Sequence, residues 1–146
     1  MKISLASDHA GYDLKESIKA ILGKDYDFHD FGAYDTNPVD YVDTGKKAID
    51  FLLDKNVNYA ILLCGSGQGM NIIANKHKGI RACLCQTPEL AKLAREHNDA
   101  NVLVLPARFI EKEIAIETIK TFLFADFSNE ERHIKRIKKI TDFEDK

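Results

Sequence analysis

Two short stretches of this sequence set reactive side chains among glycines. Cys64-Gly65-Ser66-Gly67-Gln68-Gly69-Met70-Asn71 holds a thiol and a hydroxyl in a run where glycine recurs at alternate positions. Ser7-Asp8-His9-Ala10-Gly11 puts a carboxylate beside an imidazole. Glycine permits positive φ and close approach, so successive backbone N–H groups of such a loop can converge on an anion at a helix N-terminus. A thiol placed there has its thiolate favoured by the helix dipole and can serve as a base or nucleophile. Cys64 can equally be a small buried hydrophobe, and the glycine run alone an ordinary strand-to-helix turn. Its spacing fits neither the P-loop nor the dinucleotide GxGxxG pattern, which argues against nucleotide binding.

Three further groups can do chemistry. His97 and Asn98 fall between a helical and a strand pattern in Arg95-Glu96-His97-Asn98-Asp99-Ala100-Asn101, where an imidazole can act as acid or base or simply end a helix. Asp8 and His9 have the same double reading, Asp8 as a ligand for a hydroxyl or as a helix cap. Arg132 and Arg136 are four apart and share one helical face, which suits two planar forks on one phosphate or a solvated basic surface. Arg108 either joins that clamp or makes a surface ion pair. His29, His77 and His133 read as surface or turn residues, and Cys83 and Cys85 as core or edge residues of an apolar strand.

The elements that must carry these groups alternate between two periodicities. Short apolar runs at Ile3 to Ala6, Tyr26 to Phe31, Tyr59 to Cys64, Ile80 to Leu84 and Asn101 to Leu105 read as strands, some apolar enough to be buried on both faces. Helical patterns lie at Gly11 to Leu22, Val39 to Asp54, Gln68 to Asn75 and Pro88 to Glu96, the last with Thr87 as N-cap ahead of a first-turn proline. Two more, Ile110 to Phe124 and Asn129 to Ile140, close the chain. The alternation predicts an α/β protein, a three-layer α/β/α domain of parallel strands with right-handed crossovers. In such a sheet, ligands bind outside the carboxyl ends of the strands, which is where the loops at Asp8 and Cys64 fall.

Size and charge narrow the partners. A chain of 146 residues, 45% hydrophobic, is expected to form a single domain over 1–146. The net charge of −2 and pI near 6.2 offer no global attraction to nucleic acid or membrane, so a small molecule is the expected partner. Without a membrane-length apolar run or a signal-peptide pattern, and with three cysteines that form no disulfide framework or paired zinc motif, the expectation is a cytoplasmic protein with reduced thiols. No metal-ligand set such as HxxxH or paired CxxC occurs, so neither a metal nor an organic cofactor is expected.

Taken together, Asp8-His9-Ala10-Gly11, the Cys64 to Met70 loop, Ala74-Asn75-Lys76, His97-Asn98-Asp99-Ala100-Asn101-Val102-Leu103 and Arg132-His133 with Arg136 resemble, in order and spacing, the ribose-5-phosphate isomerase type B (RpiB/LacAB) family across nearly the whole chain. The resemblance implies a Rossmann-like domain with a five-stranded parallel sheet, assembled as a homodimer or a dimer of dimers. It implies an aldose–ketose isomerase that interconverts ribose 5-phosphate and ribulose 5-phosphate through an enediolate, in the pentose phosphate pathway. By position, Cys64 matches the base that moves the proton, and Gly65, Ser66, Gly67, Gln68 and Gly69 the loop that donates N–H groups to the enediolate oxygen. His97 matches the group that opens the furanose, assisted by Ser66 where many relatives have threonine. Asp8 and Asn98 match ligands of the sugar hydroxyls, and His9, Arg108, Arg132 and Arg136 the phosphate ligands, with the C-terminal helix, about 129–143, serving both dimer and phosphate site. The chain resembles the cysteine branch of the family, with Met70 where the other branch has a glutamate. Isomerases of allose or galactose 6-phosphate share the fold and remain an alternative, as does a non-catalytic sugar-phosphate binding protein.

Chain direction adds one expectation. Cys64 ends a strand at the carboxyl edge of the sheet, whereas His97 follows a helix returning to the amino edge. If both act on one sugar, they belong to different chains, and each active site is shared across a two-fold dimer.

Overall fold

The computed structural model describes residues 1–54 and 57–146. Five strands, β1 (Lys2–Ser7), β2 (Asp27–Asp30), β3 (Tyr59–Cys64), β4 (Ala82–Leu84) and β5 (Val102–Pro106), form one sheet in the order β2-β1-β3-β5-β4. Every pairing is parallel. The helices are α1 (Tyr12–Leu22), α2 (Tyr41–Leu53), α3 (Gln68–Asn75), α4 (Pro88–Asn98), α5 (Lys112–Phe124) and α6 (Glu131–Glu144), with a 3-10 turn over His9–Gly11. This is the α/β arrangement of parallel strands that the alternation predicts, and the Rossmann-like fold with a five-stranded sheet that the resemblance implies.

Alternate side chains of the central strands leave in opposite directions, which divides the core in two. Ile3, Leu5, Ile61, Leu63, Leu103 and Leu105 pack with Ile18, Leu22, Ala91, Ala94, Ile119 and Phe122 of α1, α4 and α5. Ala6, Ala60, Leu62, Cys64, Val102 and Val104 meet Ala48, Ile49 and Leu52 of α2 and Met70 and Ala74 of α3. Burial on both faces explains why β3 reads Tyr-Ala-Ile-Leu-Leu-Cys with no polar interruption. Truncating Ile61 or Leu62, both fully buried, to alanine is expected to cost about 2–5 kcal/mol.

Several element ends differ from the expectation, each for a local reason. Strand β4 begins at Ala82 rather than Ile80, because side chains occupy the backbone there. Asn101 Oδ1 accepts the Arg81 N–H at 2.8 Å. The Asn75 carboxamide takes both the N–H and the carbonyl of Ala82, each at 2.9 Å, a two-bond clasp on an edge strand. Helix α4 runs two residues past Glu96, until Asp99 adopts the left-handed conformation (φ 44°) as its C-cap. Thr87 caps the start of α4 as predicted, its Oγ1 accepting from the Leu90 N–H. Asp40 does the same for α2 by accepting from the Val42 N–H.

Helix α6 starts at Glu131, two residues later than its pattern suggested, and runs to Glu144. It lies along the amino edge of the sheet. Ser128, ahead of it, donates its N–H to the Glu96 carbonyl at the end of α4, and Glu144 accepts from the Gly79 N–H ahead of β4. Only one of its fourteen residues is buried, His133.

Candidate active site

Strands β1 and β3 are parallel neighbours whose connections leave in opposite directions, β1 toward β2 on one side and β3 toward β4 on the other. Ligand crevices form at such switch points, outside the carboxyl ends. A cleft of about 320 Å³ opens here, lined by Asp8, His9 and Ala10 after β1 and by Cys64, Gly65, Ser66 and Gly69 after β3. Tyr41, from the first turn of α2, and Arg108, after β5, complete it.

Local rules place each of these groups. Asp8 is nearly buried, and one carboxylate oxygen caps the 3-10 turn by accepting the Gly11 N–H at 3.1 Å, so both sequence readings remain compatible with its position. His9 Nδ1 accepts from the Val39 N–H at 3.3 Å, which leaves the proton of the neutral ring on Nε2. Cys64 is the last residue of β3 and is 5% exposed. After it the chain turns through Gly67 at φ 76°, where a Cβ would also fall 2.3 Å from Leu84 Cδ1, so only glycine fits. Gln68 then opens α3, whose first-turn amides have no intrahelical partner and carry the positive end of the helix dipole. The exposed Ser66 hydroxyl accepts from the Gln68 N–H at 3.3 Å. Arg108 donates its backbone N–H to the Gly65 carbonyl and lays its guanidinium across Gly65, where a Cβ would come within 3.1 Å of Nη1. Thiol, hydroxyl, the glycine backbone at the start of α3, carboxylate, imidazole and guanidinium therefore converge on one small cleft.

The remaining predicted residues gather elsewhere. His97 stands in the last turn of α4 and Asn98 ends that helix, exposed. The residues after them are scaffold. The Asp99 carboxylate bonds Arg81 Nη2 at 3.0 Å and Arg95 Nη1 at 2.8 Å. The buried Arg95 also donates to the Ala100 carbonyl and stacks over the Tyr59 ring at 4.9 Å. Arg132 and Arg136 are exposed on α6. Arg132 Nε bonds Glu130 at 2.8 Å and holds that carboxyl below its ordinary range. Between the two arginines His133 turns inward, 2% exposed, and its ring meets His97 with centroids 4.3 Å apart and planes tilted by 34°. Its Nδ1 lies 2.7 Å from Ser128 Oγ. Burial, and then the neighbouring His97 and Arg132, hold the His133 imidazole below its usual range against the pull of Glu130.

The two groups are far apart within one chain. Cys64 is level with Pro106 and Ala60 with Val102, so four residues, roughly 13 Å of strand, separate the thiol from the start of β5, beyond which His97 lies.

A family model described as ribose/galactose isomerase matches residues 3–140. The chain belongs to that family. A crystal structure of a ribose 5-phosphate isomerase from Thermotoga maritima superimposes with a TM-score of 0.93 at 48% identity, covering 97% of each chain. Ribose-5-phosphate isomerase B of Escherichia coli is 35% identical, over 98% of this chain and 96% of that protein. A 4-deoxy-4-sulfo-D-erythrose isomerase of a Clostridium species is 36% identical, over 88% of this chain and 82% of that protein. The chain is a sugar-phosphate isomerase of this family, with a small sugar phosphate as substrate. Among the described residues no helix is long and apolar enough to cross a membrane.

Two residues near these sites escaped the sequence reading. Tyr41 lines the cleft, and a Cβ on Gly69 would fall 2.6 Å from its ring. It opens α2, one residue after Asp40, whose carboxylate caps that helix, where the sequence pattern had the helix begin at Val39. The reading of His133 as a surface or turn residue is corrected: it is the buried side chain of α6, turned toward α4 in a helix that is otherwise polar on most sides. Cys83 and Cys85 lie in and just after edge strand β4, as expected. Burial raises the Cys83 thiol, and burial with the neighbouring Cys83 pushes Cys85 up to about 12.

Proposed function

We propose that the protein interconverts ribose 5-phosphate and ribulose 5-phosphate, with Cys64 as the base. The observation that carries this reading is the meeting of the Cys64 thiol with Gly65, Ser66 and Gly69 at the start of α3, and with Asp8, His9 and Arg108, in one cleft. Ring opening comes first. His97 delivers a proton to the ring oxygen as the C1–O4 bond breaks, and the C1 hydroxyl proton leaves by way of Ser66 to water, giving the aldehyde. The Cys64 thiolate then takes the C2 proton. The electron pair moves into the C1–C2 bond, and the negative charge on O1 is met by the amides from Gly65 to Gly69. Transfer of the O2 proton to O1 and return of the thiol proton to C1 complete the ketose. Such a localised oxyanion is the kind of charge that preorganised amides stabilise. Asp8 and Asn98 hold sugar hydroxyls, while His9, Arg108, Arg132 and Arg136 bind the phosphate, whose remote binding energy orients the reacting carbons.

This division of labour requires two chains, since the thiol and His97 lie at opposite edges of the sheet. A homodimer, alone or paired into a dimer of dimers, would bring the amino-edge group of one chain to the cleft of the other. The exposed Ile134, Ile140 and Phe143 of α6 supply apolar surface for that contact.

The test is to mix purified protein with ribose 5-phosphate and follow ribulose 5-phosphate, with allose 6-phosphate, galactose 6-phosphate and the four-carbon sulfo-sugar as competitors for the assignment. A higher kcat/KM for any competitor would transfer the assignment to it. Binding of ribose 5-phosphate without turnover would favour a sugar-phosphate binding protein.

A further inference from the structure

The His97–His133 contact goes beyond the roles so far assigned. Helix α6 buries one side chain of fourteen, and that side chain is an imidazole rather than an aliphatic group. Filling space against α4 would need only a leucine. A buried polar ring costs stability unless it is hydrogen-bonded, so its presence calls for a polar reason. The ring is keyed by Ser128 Oγ at 2.7 Å, and Ser128 is itself tied to the end of α4 by its N–H on the Glu96 carbonyl, one residue from His97. Ser128 Oγ also accepts from the Glu130 N–H at 3.3 Å, at the start of α6. Asn129, in the left-handed conformation at φ 55°, makes the turn between these two residues. The imidazole is thus held on one side by a turn and presented on the other to His97, whose ring makes no hydrogen bond among the described residues. Arg132 and Arg136 flank His133 on the same helix, so one rigid element carries both the proposed phosphate clamp and the platform for the proposed ring-opening residue.

Resting on the assignment of ring opening to His97, we propose that His133 is a positioning residue: stacked against His97 and anchored by Ser128, it fixes the His97 ring so that phosphate engagement by α6 and proton delivery to the ring oxygen occur in one geometry. Four titratable or charged groups face the His133 ring: Arg132 and Arg136 on α6, Glu130 at its cap, and His97 on α4. Burial opposes protonation of His133, and so do His97 and the two arginines beside it, against the pull of Glu130, so the ring serves as a platform rather than as a second acid.

Ring opening can be separated from enolisation by the choice of substrate. Ribose 5-phosphate is a furanose and must open. Ribulose 5-phosphate is acyclic, because the only hydroxyl able to close its furanose carries the phosphate. Wash-in of solvent deuterium at C1 of ribulose 5-phosphate therefore reports Cys64 and the phosphate clamp without any call on His97. In His133→Leu, kcat for ribose 5-phosphate should fall about 10- to 100-fold, the scale of loss from a misplaced catalytic group. Deuterium wash-in should stay within about threefold of wild type, which also shows that the variant is folded and its clamp intact. Ser128→Ala should show the same split with a smaller loss. Equal loss in both assays would make His133 a structural residue and overturn the proposal, as would full retention of both. If His133→Leu misfolds, Ser128→Ala decides by the same split. His97→Asn and Cys64→Ala serve as references. Loss of ring opening alone in the first and of both reactions in the second supports the underlying assignment. Full turnover of ribose 5-phosphate by His97→Asn would sink that assignment by itself, whatever His133 does.

Discussion

Co-expressing Cys64→Ala and His97→Asn chains with different tags, and purifying the mixed dimer, tests the shared site directly. The strand register sets the magnitude. Cys64 is level with Pro106 at one end of β5, and His97 lies before the other end, so at least roughly 13 Å of strand separates them. Both groups must act within about 3 Å of adjacent sugar atoms, and C1, C2 and the ring oxygen are all within two bonds of one another. One chain cannot do this, so each site takes its thiol from one chain and its imidazole from the other. Each homodimer then carries one lesion in both of its sites. Losing the base is expected to cost at least about a hundredfold and losing the ring-opening acid about as much, so both parents should be nearly inactive. In the mixed dimer one site inherits both lesions and the other inherits neither, so activity should return to about half of wild type per dimer. The assay is ribulose 5-phosphate formation by a preparation carried through both tags. Were the two residues to act within one chain, every site of the mixed dimer would still hold a lesion and activity would stay at the parental level. That result would refute the argument from the register.

Four further predictions follow from named contacts. Cys64→Ala should abolish isomerisation while leaving substrate binding within a few-fold, as judged by calorimetry, because the base acts in the chemical step; iodoacetamide at neutral pH should inactivate the native enzyme by modifying Cys64, sparing Cys83 and Cys85, whose thiols are raised by burial, and labelling confined to those two would count against the assignment. Replacing Arg136 with alanine should chiefly raise KM for the phosphorylated sugar, by about tenfold or more for the loss of a charge-assisted contact, and an unchanged KM would return α6 to the role of a solvated face. The fully buried Lys15 bonds Asp30 at 2.5 Å, and Lys19 bonds the same carboxylate at 2.8 Å. Because Lys19 and the Gly32 N–H would still compensate Asp30, Lys15→Met should cost about 2–3 kcal/mol, less than a buried pair losing its only partner, or roughly 5–10 °C in Tm. Burial works to raise the Asp30 carboxyl, but the two lysines and the Gly32 N–H outweigh it and hold it below the ordinary range. A carboxyl lowered in the folded state stabilises fully above its unfolded value of about 3.9 and loses that contribution as pH falls through the folded value. Asp30→Asn should therefore flatten the acid limb of a stability-versus-pH curve below about pH 4, and an unchanged limb would mean that the cluster does not govern acid unfolding.

The parts of the fold that were legible in the sequence are those decided by burial on two faces or by an adjacent cap. Strand β3 could hardly be read otherwise, since six residues without a polar interruption suit only a central parallel strand. Thr87 with Pro88 marked the start of α4 because capping is a matter of near neighbours. The misjudged ends depend on partners remote in sequence. Helix α4 outlasts its pattern because Asp99 is held by Arg81 as well as Arg95. Strand β4 shortens because Asn101, twenty residues away, takes the Arg81 N–H. The cleft was legible because its residues fall at the ends of recognisable strands, where parallel topology directs ligands. Tyr41 was not, because it reaches the cleft through the packing of its ring on Gly69 and not through any pattern in its own segment.

His133 shows where such reading stops. The apolar residues of α6, Ile134, Ile137, Ile140 and Phe143, recur at every third position and form a stripe, yet the one side chain the helix buries is His133, and nothing in Arg132-His133-Ile134 distinguishes a stacked ring from a solvated one. The same sparseness has a physical consequence. A fourteen-residue helix is marginal by propensity alone, and α6 has little of its own chain to lean on: the His133 contact, the Ser128 turn at one end, and the Glu144 bond to Gly79 with the Lys78–Asp145 ion pair at the other. Ile134, Ile140 and Phe143 are exposed, the last two along a cavity beside Ala82 and Cys83 of the edge strand, and in the proposed dimer the second chain covers them. Arg132 and Arg136 would then reach their working position only on assembly, when the cleft that needs their charge comes within reach. On this argument the isolated monomer loses the clamp and the imidazole together, because one weakly tethered helix positions both.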